Sequence, residues 1–316
     1  MTGPPVTLAD IEAAHARIAG RVRRTPLIGA LPLAQPPGDL DLFLKLENLQ
    51  VTGSFKPRGA TNCLLQLDPA LVARGVITAS GGNHGLAVTY AGRRASAPAV
   101  IYLPEGTPRQ KADKLAALGA EVVIAGKVWD EANRAAVARA ERDGLAYLHP
   151  FADPRVIAGQ GTVGLEILED APDLDQVIVA IGGGGLVSGV ATALKALKPE
   201  IRVSGVEPVG APTLKRSLEA GELVTLPEIT TAAGTLAPVR SEAINLAIIA
   251  RTVDEIVLVE DEEMRAAARW LWSELGIAAE LSGAAAMAAV LQGRVTADPG
   301  ARVCVLVCAA GKDGFI

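Results

Sequence analysis

Short apolar runs alternate with longer stretches of mixed polar and apolar residues along almost the whole chain. The runs DLFLKLE, GVITAS, AVIYLP, EVVIAG, QVIVAI, IRVSGVE, EIVLVE and RVCVLVC read as strands. Most are apolar at nearly every position, as strands buried on both faces require. Between them, RQKADKLAAL, WDEANRAAVARAERDG and DEEMRAAARWLWSELG carry the pattern of amphipathic helices. This alternation predicts an α/β fold with mostly parallel sheets covered by helices on both faces. In such sheets ligands sit at the carboxyl ends of the strands, where loops meet helix N-termini. Breaks near Leu67–Ala70 and His149–Phe151 divide the chain into a small, mobile α/β insertion over 67–147 and two parts of a larger domain, 1–66 and 148–316.

Composition narrows the partners. Half of the 316 residues are hydrophobic, which excludes disorder. A net charge of -5 supplies no basic field for nucleic acid, and 3% aromatic residues leave few base-stacking platforms. No run is long and apolar enough to span a bilayer. The start, MTGPPVTLADIEAAHARIAG, lacks the plan of a signal peptide and opens a polar helix instead. Three cysteines without a CxxC pair argue against a disulfide framework and fit a reducing cytoplasm. Cys304 and Cys308 share one strand face and read as buried thiols. His15, His84 and His149 are too scattered to suggest a metal centre. No C-terminal effector module is expected, since the sequence stops at Ile316.

Chemistry-bearing residues gather in three stretches. Gly182 to Gly185 follow VIVAI and precede a helix from Leu186. Four glycines let the backbone turn sharply and gather several N–H groups at one point, to which the helix adds its positive end, making a phosphate cup. SGGNHG, Ser80 to Gly85, repeats the plan and makes a second anion seat, suited to a carboxylate, where Asn83 offers donors and an acceptor. His84, in a helix first turn, reads first as structural and second as a base. VTGSFKPRGA delivers Lys56 to a helix start, with Ser54 as cap and Pro57 in the first turn. There the helix dipole disfavours the ammonium, which helps Lys56 act as nucleophile or base. A neutralised lysine beside a phosphate cup is what an imine-forming cofactor requires.

A nicotinamide-dependent oxidoreductase is the alternative from another class. Glu207 ends IRVSGVE about 20 residues after the glycines, where a ribose-binding acid belongs. The G-x-G-x-x-G fingerprint fails, however, with Val187 or Ser188 in the third glycine place.

LENLQVTGSFKPRGA, SGGNHG, HPFADPRVIAGQGTVGLEI and GGGGLVSGVA together resemble the threonine/serine dehydratase and serine racemase group of pyridoxal-phosphate enzymes, whose fold is that of the tryptophan synthase β chain. The likeness runs in order over essentially the whole chain. It implies two three-layer α/β domains and the cofactor pyridoxal 5'-phosphate, held by the larger one. It implies Lys56 as the Schiff-base lysine, with Phe55 flanking the ring, and Asn83 beside the phenolic oxygen. Gly182, Gly183, Gly184, Gly185 and Leu186 would surround the phosphate, and Cys308 would face the pyridine nitrogen. Ser80, Gly81, Gly82, Asn83 and His84 would take the substrate carboxylate. A homodimer acting on a small amino acid is the implied assembly.

Four departures bear on activity. Serine racemases of the group place an acid/base serine where this chain has Gly81, so inversion at Cα loses a proton relay and one-sided elimination is favoured. The group's ending SGGNxD reads CAAGKD, Cys308 to Asp313, which alters the pocket floor. Its divalent-metal members need an acid where Thr213 stands, so a site at Glu207 is incomplete and no metal is expected. Its ADG segment reads TAAGTLAPVR, with Ala233 for the acid. The expected reaction is α,β-elimination from a small L-β-hydroxy amino acid, such as threonine or serine, to a 2-oxo acid and ammonia, with Lys56 as the base; racemisation is the alternative on the same cofactor.

Overall fold

The computed structural model describes residues 5–30 and 33–315. Two sheets organise them. The six-stranded sheet contains β1 (Leu27–Gly29), β2 (Asp41–Leu46), β7 (Gln176–Ala180), β8 (Arg202–Pro208), β9 (Glu255–Val259) and β10 (Arg302–Val307), in the order β1-β2-β10-β7-β8-β9. The four-stranded sheet contains β3 (Val76–Ala79), β4 (Ala99–Leu103), β5 (Glu121–Ile124) and β6 (Ala146–Tyr147), in the order β5-β4-β3-β6. Every pairing is parallel except β1 with β2. The eight apolar runs all form strands. Every residue of β3, β4 and β7 is buried, which is why their sequences are apolar without alternation.

Helices cover the sheets. α1 (Leu8–Ile18) starts at a capping box between Thr7 and Asp10. It is amphipathic rather than polar: Ile11, Ala14 and Ile18 are buried, three or four residues apart as one helical face requires. α7 (Pro154–Asp170) is capped by Asp153 and opens with Pro154. It crosses α2 (Lys56–Leu64) where a Cβ on Gly159 would stand only 2.6 Å from the Gly59 Cα, so the backbones meet and any side chain there would push α2 away. The far end of α2 supplies Ala60, Cys63 and Leu64 to the core beneath the four-stranded sheet. Among the described residues no helix is long and apolar enough to cross a membrane.

A buried charge cluster locks α2 in place. Arg58, 1% exposed, donates from Nε and Nη2 to Glu47 at 2.9 and 2.7 Å. It donates from Nη1 and Nη2 to Glu166 of α7 at 2.6 and 2.8 Å. Lys45 of β2 adds a second cation at 2.7 Å from Glu166. Burial alone would lower the Arg58 pKa, but the two carboxylates outweigh it and hold the guanidinium above its usual range.

Candidate active site

Lys56 is hung from the end of β10. Beyond that strand, Ser54 bridges Ala309, Phe55 N donates to the Cys308 carbonyl at 3.2 Å, and Ala310 N donates to the Gly53 carbonyl at 2.7 Å. The approach to this bridge is strained: Thr52 has φ 65, in the left-handed region, followed by Gly53 with φ 82. The pairing costs Ser54 its expected role. Its backbone is extended, it does not cap α2, and its buried hydroxyl has no partner among the described residues.

Lys56 Nζ donates to the Pro150 carbonyl at 2.8 Å and lies 5.1 Å from the Phe55 ring centroid. Its pKa is lowered to about 8 by burial, with Cys308 acting in the opposite direction. Desolvation is a cause of the shift that the helix start alone does not announce. Cys308 is itself buried and donates to the Ser282 carbonyl at 3.3 Å. Burial first, then the Glu280 carboxylate, push the thiol well above its ordinary range and keep it neutral.

The residue after Pro150 leads to the glycine turn. Phe151 packs its ring on Gly183, where any Cβ would overlap it, and a Cβ on Gly185 would stand 2.5 Å from the Phe151 carbonyl. Gly184 has φ 92, which glycine adopts without cost. Ser241 Oγ and Asn245 Nδ2 both donate to the Gly183 carbonyl, at 2.9 and 2.8 Å. Because the peptide is trans and planar, the Gly184 N–H points the other way, away from that pair. Among the described residues no group accepts from the amides of Gly182 to Leu186. Five free amides at the start of α8 (Gly185–Leu197) form a cradle for an anion.

The second seat follows β3. Trp129 Nε1 donates to the Ala79 carbonyl at 2.8 Å and Gly82 N to Ser80 Oγ at 3.3 Å, which sets the loop before α4 (Asn83–Arg94). No described group accepts from the amides of Gly81, Asn83 or His84. The space a Cβ on Gly81 would need is bounded by Thr107 Cγ2 at 3.1 Å and Leu103 Cδ2 at 3.3 Å. His84 turns inward, 3% exposed, with Nε2 3.0 Å from the Leu148 carbonyl. A carbonyl only accepts, so Nε2 carries the hydrogen and the unpartnered Nδ1 a lone pair. Burial first, then the Lys56 charge, lower its pKa to about 3.

Two residues outside the sequence-level site join the seats. Glu280, ahead of α12 (Leu281–Leu291), accepts at one oxygen from Asn83 Nδ2 (2.8 Å), Thr235 Oγ1 (3.1 Å) and Ser282 Oγ. Thr235 in turn sets its carbonyl 2.9 Å from where a Cβ on Gly182 would stand. A chain of contacts therefore joins the two seats to Lys56: Lys56 to Pro150, Phe151 to Gly183, the neighbouring Gly182 to Thr235, Thr235 to Glu280 and Glu280 to Asn83, with Glu280 also reaching Cys308 through Ser282. One signal for Glu280 was available: it is the sole charge between Gly276 and Leu291.

Glu207 lies elsewhere in function. It is fully buried rather than a surface strand end, and it caps α9 (Thr213–Ala220) by accepting from Leu214 N and Lys215 N, both at 2.8 Å. Desolvation raises its pKa to about 7. Closed off from solvent and turned to the start of α9, it is out of reach of a ribose.

The free amides, the deprotonable lysine and the neutral thiol around one cleft fit the phosphate, the aldehyde and the ring nitrogen of pyridoxal phosphate. Comparison with known proteins agrees. The sequence profile described as pyridoxal-phosphate dependent enzyme matches residues 18–309. The chain is 43% identical over 302 residues to the L-threonine ammonia-lyase of Geobacter sulfurreducens, covering 96% of this chain and 74% of that protein. It is 37% identical over 297 residues to the serine racemase of Arabidopsis thaliana, covering 94% and 89%. Among solved structures, the processed form of threonine deaminase isoform 2 from Solanum lycopersicum superposes with a TM-score of 0.90 at 36% identity, over 97% of this chain and 89% of that one. Maize serine racemase does so with 0.89 at 33%, over 97% and 94%. With this fold and this lysine, the chain belongs to the pyridoxal-phosphate dependent enzymes.

Proposed function

We propose that the protein is a pyridoxal-phosphate dependent ammonia-lyase that converts a small L-β-hydroxy amino acid, threonine or serine, to a 2-oxo acid and ammonia. The observation that carries this is the placement of Lys56, tied through Pro150 to the segment that packs on the glycine turn, in a chain whose loop after β3 has no side chain at Gly81. The bound cofactor supplies an electron sink for the bond broken at Cα. Lys56 would hold it, with Phe55 beside the ring, and, once displaced from it by the substrate amine, would be free to take the proton from the substrate Cα, a step worth about 10²–10⁴ in rate. Gly182 to Leu186 would bind the phosphate, Asn83 would orient the phenolic oxygen, and the neutral Cys308 thiol would meet the ring nitrogen. The loop from Ser80 to His84 would hold the substrate carboxylate through the free amides of Gly81, Asn83 and His84.

The direct test is incubation of the purified holoenzyme with L-threonine and L-serine, following 2-oxo acid release. Formation of the D-amino acid without 2-oxo acid would overturn the reading in favour of a racemase. We further infer a small lobe over 67–147, between 1–66 and 148–316, that closes on substrate; all four strands of the second sheet lie within it. A cytoplasmic location is supported by three free, buried cysteines, and a homodimer by the family likeness.

Two expectations follow from the site. Only the neutral amine attacks an aldehyde, so apoprotein should take up pyridoxal phosphate faster as pH rises through about 8, the Lys56 value, and level off above it. Absorbance of the reconstituting protein reads this, and a rate indifferent to pH across that range would exclude a lowered lysine pKa. Gly185→Ala forces a methyl against the Phe151 backbone. Such overpacking costs about 1–3 kcal/mol, so cofactor affinity should weaken roughly ten- to a hundredfold. Titration of apoprotein measures it; wild-type affinity would mean that the turn does not bear on the phosphate.

A further inference from the structure

Thr235 stands between the two anion seats without a role in the reading above. It sits on the 3-10 turn Gly234–Leu236 and is exposed. Its Cγ2 would be 3.6 Å from a Cβ on Gly82, and its carbonyl 2.9 Å from one on Gly182, so it borders both the carboxylate loop and the phosphate turn. Ligands held in the two seats would both lie beside it.

The hydrogen bonding of this threonine gives it a direction. Its hydroxyl donates to Glu280 Oε1 at 3.1 Å, and that oxygen also receives Asn83 Nδ2 and Ser282 Oγ. A hydroxyl has one hydrogen and two lone pairs. With the hydrogen committed to Glu280, Thr235 Oγ1 offers the cleft an acceptor. An acceptor pairs with a substituent that carries its own hydrogen and gains nothing from one that carries none. The methyl of the same residue lies on the Gly82 side and fills space there.

We propose that Thr235 is a specificity-determining residue that accepts the hydrogen bond of the substrate β-hydroxyl, favouring β-hydroxy amino acids over those whose β-substituent lacks a hydrogen. This rests on the protein being a β-eliminating lyase, and it adds the residue that reads the leaving group.

L-serine and β-chloro-L-alanine test it, because elimination from either gives the same 2-oxo acid and one assay reads both. The quantity is the ratio of kcat/KM for serine to that for the chloro compound, measured on holoenzyme. Thr235→Val keeps the shape and removes the hydroxyl. The ratio should fall about tenfold, through the KM for serine, as loss of one hydrogen bond to a substrate predicts. Thr235→Ser, which keeps the hydroxyl, should restore it to within about twofold of wild type. If the valine variant loses its cofactor absorbance, Thr235→Ala removes the same hydroxyl and is read the same way. A ratio that stays at the wild-type value without the hydroxyl, or that falls equally in the serine variant, overturns the proposal. Wild-type enzyme that releases 2-oxo acid from neither compound instead fails the lyase reading, and the role of Thr235 with it.

Discussion

Replacing Lys56 by alanine should lower 2-oxo acid release by roughly 10³-fold, the middle of the range for loss of a positioned general base. No neighbour is placed to substitute. The His84 hydrogen is committed to the Leu148 carbonyl and its ring is held neutral, with a pKa near 3. His149 Nδ1 accepts from the amides of Phe151 and Ala152, at 3.2 and 2.9 Å, and burial lowers its pKa to about 4. Stability should not fall with activity. Lys56 makes one hydrogen bond, to Pro150 O, and its removal relieves an ammonium that burial disfavours. Borohydride treatment of the wild type should fix the cofactor to a peptide containing Lys56 and should label the alanine variant nowhere. A variant that keeps more than about a tenth of wild-type turnover would assign the proton transfer to another residue.

Arg58→Met should cost about 3–5 kcal/mol of stability, the range found when one partner of a buried pair is removed. The balance in the wild type is even: Arg58 and Lys45 face Glu47 and Glu166, all of them essentially excluded from water. Methionine fills much of the space but leaves two carboxylates with one cation, Lys45. In the variant Glu166 keeps the burial that raises its pKa and loses the Arg58 charge that lowers it, so protonation on acidification no longer costs the folded state what it costs the wild type. In the wild type Arg58 holds Glu166 below its usual pKa, against the effect of burial, so it loses stability as pH falls. The difference between the two should therefore be greatest at neutral pH and shrink towards pH 5 and below. Urea unfolding at neutral and acid pH measures both. A cost under about 1 kcal/mol at neutral pH would show that the cluster relaxes around the gap. Because Arg58 lies two residues after Lys56 on α2, a shift of that helix should also appear as weaker cofactor binding.

Much of this architecture is legible in the sequence because both sheets are mostly parallel and their central strands are covered on both faces. QVIVA and VITA are apolar without interruption, since neither face of either strand meets water. β1 and β6, with three and two residues, are too short to carry any period. Lys56 and the four glycines announced themselves because their surroundings are local: a helix start, a turn. Thr235 and Glu280 did not, because their meaning comes from a contact between segments 45 residues apart in sequence. Ser54 shows the same limit from the other side. Local preference makes it a cap, but Ala309, just beyond β10, takes its backbone, and tertiary pairing wins. The cause of the Lys56 shift was equally hidden, since burial is a property of the folded chain alone.

The position of β10 has a consequence for how the enzyme is made. It pairs with β2 along one edge and β7 along the other, yet it leaves the ribosome after every other strand of its sheet. Until then the two halves of that sheet wait with unpaired, apolar edges, and the loop that must close between β2 and β10 spans most of the chain. Lys56, fastened to Ala309 and Ala310 by way of Gly53 and Ser54, reaches its place only when that strand inserts. A nascent chain halted before Arg302 would therefore carry every glycine of both anion seats and no active site, and its open edges would make it a substrate for chaperones and a seed for aggregation.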